Sequence, residues 1–163
     1  MQKEVGPFGE ILARLKIEAL NKMQLAALEA NKQDKDIVLI SATGSGKTLA
    51  FLLPLLELMD ADSRATQAMA IVPSRELALQ IEQVFRSMRT GFTVACCYGG
   101  RLRETEENNL LQAPALIIGT PGRLADHLRR SNIRGESIRT LVLDEFDKSL
   151  EQGYEEELSF IIG

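Results

Sequence analysis

The sequence predicts a parallel α/β sheet with helices on both faces. Short apolar runs alternate with segments of helical period. The runs are flanked by Gly, Pro or Asp, and each pair is separated by enough chain for a crossover helix. The 163 residues suit one domain, able to bury roughly 70% of its unfolded surface.

In chain order, two helical segments at about residues 8–20 and 22–31 come first. Apolar runs then read as strands at DIVLIS (36–41), QAMAIV (67–72), FTVACCY (92–98), PALIIG (114–119) and RTLVLD (139–144). Helices are expected between them at about 47–60, 75–90, 103–112 and 122–131. In SRELALQIEQVFRSM, Leu77, Ile81, Val84, Phe85 and Met88 recur at helical spacing. Pro54, inside AFLLPLLELM, predicts a kink or a first-turn position. No repeat or linker divides the chain.

Composition excludes several classes. With 45% hydrophobic and 26% charged residues the chain is expected to fold. No apolar run approaches the ~18 residues of a membrane span. The start, MQKEVGPFGEILARLK, lacks a signal-peptide stretch. Cys96 and Cys97 are adjacent in an apolar run and without metal-ligand spacing, so they read as buried, reduced thiols of a cytoplasmic protein. The net charge of −4 argues against nucleic-acid binding through a bulk field, but not through a few placed groups.

Two motifs carry chemistry. In SATGSGKT, Thr43, Gly44, Ser45 and Gly46 form a turn after an apolar run, and Lys47 and Thr48 open a helix. Backbone N–H groups there can cradle phosphates, Lys47 can reach the terminal phosphates, and Thr48 can hold Mg²⁺. The usual first glycine of such a loop is Ser41 here. In VLDEFD, Asp144 and Glu145 end an apolar run, where ligand groups of open α/β sheets gather. Asp144 suits a metal partner. Glu145 suits a base that activates water on a γ-phosphate. His127 has no second imidazole or cysteine cluster near it in sequence, so no metal role is expected; EEE (155–157) reads as a solvated helix face.

Together SATGSGKT, PSRELALQ (73–80), YGG (98–100), TPGR (120–123) and DEFD (144–147), in that order, closely resemble the amino-terminal ATPase domain of DEAD-box RNA helicases over about residues 16–160. The resemblance implies a RecA-like P-loop NTPase domain that binds ATP or ADP with Mg²⁺. It also implies that KIEALNKMQ (16–24) is an adenine-reading segment. Gln24 would supply an amide able to donate and accept at once. Ile17 and Leu20 stand where the family has an aromatic residue and proline, and Phe146 where it has alanine. By the same resemblance Pro73, Ser74, Arg75, Gly99, Gly100, Thr120 and Arg123 line a face for RNA, single-stranded or in a short duplex. Glycine amides, a hydroxyl and two arginines suit sequence-independent contact with the backbone.

The family also has a Ser-Ala-Thr strand, which Asp147 couples to the ATP site, and a second RecA-like domain; neither lies within these residues. The chain is therefore expected to be a partial amino-terminal domain, 1–163, nearly inactive without the second domain's arginines. The Ser-Ala-Thr strand would lie between DIVLIS and RTLVLD. An open slot there would orphan backbone groups at about 1–3 kcal/mol each, so the slot is expected to be closed. The DEFD strand would shift beside DIVLIS, another copy would lend a strand in a swapped oligomer, or the chain would be part of something longer. Two rival readings stand beside the helicase: a non-catalytic nucleotide-binding or protein-interaction module, and an ATPase that moves cargo other than nucleic acid.

Overall fold

The computed structural model describes residues 7–163. The expectation of no leader stretch and the start of the expected domain fall partly on residues 1–6, which lie outside the described residues. Two helices, α1 (Gly9–Arg14) and α2 (Lys22–Asn31), precede α3 (Lys47–Leu58), and then strands and helices alternate. These are β1 (Ala68–Ile71), α4 (Arg75–Met88), β2 (Val94–Cys97), α5 (Arg103–Leu110), β3 (Leu116–Gly119), α6 (Pro121–Arg129), β4 (Thr140–Leu143), α7 (Phe146–Glu151) and α8 (Glu155–Ile162). The four strands form one parallel sheet in the order β2-β3-β1-β4, with Ala68 opposite both Leu116 and Thr140.

The strand period of two sends alternate residues to opposite faces. Ala68, Ala70, Cys96, Leu116 and Ile118 pack with Leu52 and Leu53 of α3 and Ile81, Phe85 and Met88 of α4. Met69, Ile71, Cys97 and Ile117 pack on the other side with Leu124 of α6 and Leu158 of α8. Each large side chain so buried contributes about 1.5–3 kcal/mol. Helix α4 starts where the Ser74 hydroxyl accepts the Leu77 N–H at 3.2 Å, and ends at Arg89 in the left-handed region (φ 51). Gly119 is required by packing: a Cβ there would sit 2.5 Å from the Cys97 carbonyl oxygen.

Two expectations change, and for Pro54 one of the two alternatives, the first-turn position, is removed. The first helix ends at Arg14, followed by Lys16 at φ 57, and does not run to residue 20. Pro54 lies in the interior of α3, not in its first turn. The largest change is at DIVLIS, which forms no strand. Among the described residues, none of 36–41 makes a backbone–backbone hydrogen bond, and Val38 and Ile40 are 86% and 93% exposed. An open cleft of about 1230 Å³ separates this segment from β4, which pairs only with β1.

Among the described residues the slot is thus not closed, and the DEFD strand has not moved beside residues 36–41. The expected penalty belongs to buried edges. Here the apolar run is largely exposed, so its backbone groups are open to water and that penalty does not apply. The same exposure leaves β4 only half-buried, while β1 to β3 are buried throughout. Among the described residues no helix is long and apolar enough to cross a membrane.

Candidate functional site

The glycine turn stands at the amino terminus of α3. Gly44 (φ 78) and Gly46 (φ 89) take left-handed conformations that L side chains resist, and Gly46 caps the helix without a side-chain hydrogen bond. The first N–H groups of α3 are therefore free of intrahelical and capping partners, the arrangement that favours an anion. Ser41 donates to the Ser45 hydroxyl at 2.5 Å, which in turn donates to the Ala42 carbonyl at 2.7 Å. Thr43 and Gly44 are exposed; Lys47 and Thr48 are half-buried.

Helix α2 grips this turn. Asn21 and Gln24 form a capping box: the Asn21 side chain accepts the Gln24 N–H and the Gln24 Oε1 accepts the Asn21 N–H, both at 2.9 Å. Outward from that box, Asn21 Nδ2 donates to the Ser45 carbonyl at 2.9 Å and Gln24 Nε2 donates to the Gly46 carbonyl at 3.1 Å. Gln24 is only 5% exposed. Its amide keeps one N–H and one lone pair beyond these bonds. Asn21 was not singled out from sequence, although the spacing N-x-x-Q is the signature of such a box.

Asp144 and Glu145 follow β4, with the Asp144 N–H donating to the Ile71 carbonyl at 3.0 Å. Both line the cleft with Lys47 and Ser41. Burial, reinforced by the charge of Glu145, pushes the Asp144 carboxyl above its ordinary range, and Lys47 partly opposes this. Glu145 is held in the left-handed region (φ 49, ψ 47), and its Oε2 accepts the Lys148 ammonium at 2.9 Å. A hydroxyl, Thr48, and an under-compensated carboxylate, Asp144, are hard oxygen donors that fit Mg²⁺, which takes few protein ligands beside phosphate and water. Asp147 and Phe146 are exposed at the same cleft.

The residues expected to face RNA separate into two groups. Gly99, Gly100 and Arg75 are exposed and adjacent: the Arg75 guanidinium lies 5.1 Å from the Tyr98 ring centre and beside Gly100, itself at φ 86. Ser74 caps α4 and Thr120 precedes α6, its N–H bonded to the Cys97 carbonyl at 3.0 Å. Pro73 is buried. Arg123 turns inward, its Nη1 3.2 Å from Oε2 of Glu106, with side chains 16% and 0% exposed.

Glu106 is the hub of that inner group. Its Oε1 accepts the Tyr98 N–H at 2.9 Å, and its Oε2 also meets Nε2 of His127 at 2.8 Å. Asn132 Nδ2, 3.1 Å from Nδ1 of His127, makes Nδ1 the acceptor and leaves Nε2 to donate. His127 is therefore not isolated, since Cys97 and Glu106 bring ligand atoms within 4.8 Å of it and of one another. The Arg123 guanidinium already balances the carboxylate, so this cluster is a hydrogen-bonded ion pair. Sequence reasoning missed Glu106 because RETEENNL is almost uniformly polar.

The fold and site define an open parallel α/β domain with a glycine-rich, helix-opening turn and two carboxylates lining one cleft. The DEAD/DEAH box helicase family pattern matches residues 21–163, and the chain belongs to that family. It is 36% identical over 159 residues to the ATP-dependent RNA helicase DeaD of Klebsiella pneumoniae and to that of Escherichia coli K12, covering 96% of this chain and 25% of each relative. It is 33% identical over 165 residues to the DEAD-box ATP-dependent RNA helicase CshA of Geobacillus kaustophilus, covering 98% of this chain and 35% of that relative. The chain thus spans about a quarter to a third of the length of these relatives.

Proposed function

We propose that residues 1–163 are the partial amino-terminal, nucleotide- and RNA-backbone-binding domain of a cytoplasmic ATP-dependent RNA helicase, working with a second RecA-like domain. The observation that carries this reading is the glycine turn at α3, gripped by Gln24 and Asn21 and opening on the cleft that holds Asp144 and Glu145. The free N–H groups of α3 and Lys47 bind the phosphates of ATP. Thr48 and Asp144 hold Mg²⁺, which neutralises phosphate charge when bound. Gln24 reads adenine with its remaining N–H and lone pair. Glu145 takes a proton from the attacking water once Lys148 yields or shares its carboxylate.

ATP binding would close two domains on one RNA strand and displace its partner locally; hydrolysis would reopen them. Without arginines from a second domain, hydrolysis lacks a transition-state stabiliser worth about 10³–10⁵ in rate. This chain alone is therefore expected to bind nucleotide but scarcely turn it over.

Calorimetric titration of Mg-ADP and Mg-GDP tests the reading, with Lys47→Ala beside the parent chain. Preference for ADP, lost in the variant, supports it; no binding by the parent chain overturns it. The pairing of Glu145 with Lys148 favours one rival, a nucleotide-binding module without catalysis. RNA-stimulated ATP hydrolysis on addition of the second domain excludes that rival.

A further inference from the structure

Two arginines share one aromatic ring at the Gly99–Gly100 turn. The Arg75 guanidinium carbon lies 5.1 Å from the Tyr98 ring centre and that of Arg101 lies 6.0 Å from it. Tyr98 itself is fixed, nearly buried and with its N–H on Glu106. Among the described residues neither guanidinium has a carboxylate within ion-pair distance, whereas neighbouring Arg123 is paired with Glu106 and Arg103 with Asp126. A cation over a tyrosine face gains only about 0.5–1 kcal/mol at an exposed site. Two like charges are thus held at one turn, beside two exposed glycine amides, and among the described residues neither is paired with a carboxylate.

Arg123 stands behind this pair. Its Nη1 is bound to Glu106, and its Nη2 donates to the backbone carbonyl of Arg101 at 3.4 Å. These two bonds turn the guanidinium inward and tie it to the segment that carries Arg101.

We infer that Arg101, not Arg123, is the second phosphate-contacting arginine of this face. It works with Arg75 across Tyr98 to clamp the phosphodiester backbone of single-stranded RNA. Arg123 is the positioning residue that sets the Arg101 backbone. The inference rests on the RNA-binding reading above. It adds a residue no part of that reading contains and reassigns another. The ring holds the Arg75 and Arg101 guanidinium groups near the turn, so less side-chain freedom is lost when a phosphate arrives.

The test is fluorescence anisotropy of a labelled oligouridylate with this chain and a non-hydrolysable ATP analogue, at about 50 to 200 mM salt. Variants are Arg75→Ala, Arg101→Ala, Arg101→Lys and Arg123→Ala. Arg64→Ala, in the loop before β1 at the opposite end of the sheet, is the control for net charge. Arg101→Ala is expected to weaken binding about fivefold at 0.1 M salt and to lower the slope of log affinity on log salt by about 0.7, the loss of one single-strand phosphate contact. Arg101→Lys keeps the charge and restores the slope. Arg123→Ala lowers the melting temperature and weakens binding while keeping the slope.

If Arg101→Ala behaves like Arg64→Ala while Arg75→Ala loses slope, the inference is overturned and the RNA reading stands. A slope lost in Arg123→Ala but not in Arg101→Ala overturns it as well. If neither Arg75→Ala nor Arg101→Ala differs from the control, or the parent chain does not bind, the RNA reading of this face falls and the inference with it.

Discussion

Nε2 of His127 lies 2.8 Å from Oε2 of Glu106, and neither side chain reaches solvent. One carboxylate thereby joins the end of β2, through the Tyr98 N–H, to the first turn of α6, through Arg123, and to the last turn of that helix, through His127. Truncation by Glu106→Ala strands three donors at once, one of them charged, and is expected to cost about 3–5 kcal/mol. Glu106→Gln keeps an oxygen but turns an NH₂ toward another donor, so it should cost less. Thermal melts of the two variants check the order; a glutamine variant as unstable as the alanine one would show that hydrogen bonding is not what the carboxylate supplies.

At the glycine turn, two alanine substitutions separate backbone strain from a side-chain collision. A Cβ on Gly46 would sit 2.6 Å from Gln24 Nε2, whereas one on Gly44 meets nothing within 4 Å. Both positions have positive φ, so both pay roughly 1–2 kcal/mol in strain. Gly46→Ala alone must also dislodge the Gln24 amide and is expected to lose at least tenfold more ADP affinity than Gly44→Ala. Equal losses by calorimetry would mean that the grip of α2 on the turn does not matter to binding.

The Asp144 carboxyl holds its proton to a higher pH than an ordinary aspartate, because of burial and then Glu145. A folded-state value above the unfolded one means that stability falls as pH rises through that window. Asp144→Asn removes the burden. Without nucleotide, the variant should melt higher than the parent chain at pH 7, with a smaller difference at pH 4, and should lose Mg-ADP binding. A variant less stable than the parent at pH 7 would contradict this.

Both thiols are held protonated well past their ordinary value of 9.0. Burial comes first in each case, followed by the charge of Glu82 for Cys96 and of Glu106 for Cys97, which reaches about 12. Neither cysteine should react with a disulfide reagent at pH 8 until the chain unfolds. The unfolded chain can ionise above pH 9 while the folded one cannot, so stability should decline from there upward. Rapid labelling of the folded chain at pH 8 would overturn the assignment.

The alternation of apolar runs and helices was legible because β1, β2 and β3 are buried throughout, and such strands carry no polar side chain. DIVLIS has the same composition, yet Val38 and Ile40 are exposed. Composition records what a segment could bury, not whether a partner lies beside it. Arg123 shows a second limit. Its place in TPGR says where it sits, but its direction is decided by Glu106, which arrives from another helix. Asn21 is a third kind: its spacing to Gln24 was readable, while its contact with Ser45 depends on how α2 meets the turn.

The unpaired segment before the glycine turn has a mechanical consequence. Residues 36–41 hold no rung of the sheet, and the turn is seated instead by two amide side chains of α2 and by the packing of α3 on the core. Support for the phosphate-facing amides passes sideways through Asn21 and Gln24 rather than along the covalent chain. A protease nick at Val38 should leave the turn in its seat, with both halves migrating together until denatured.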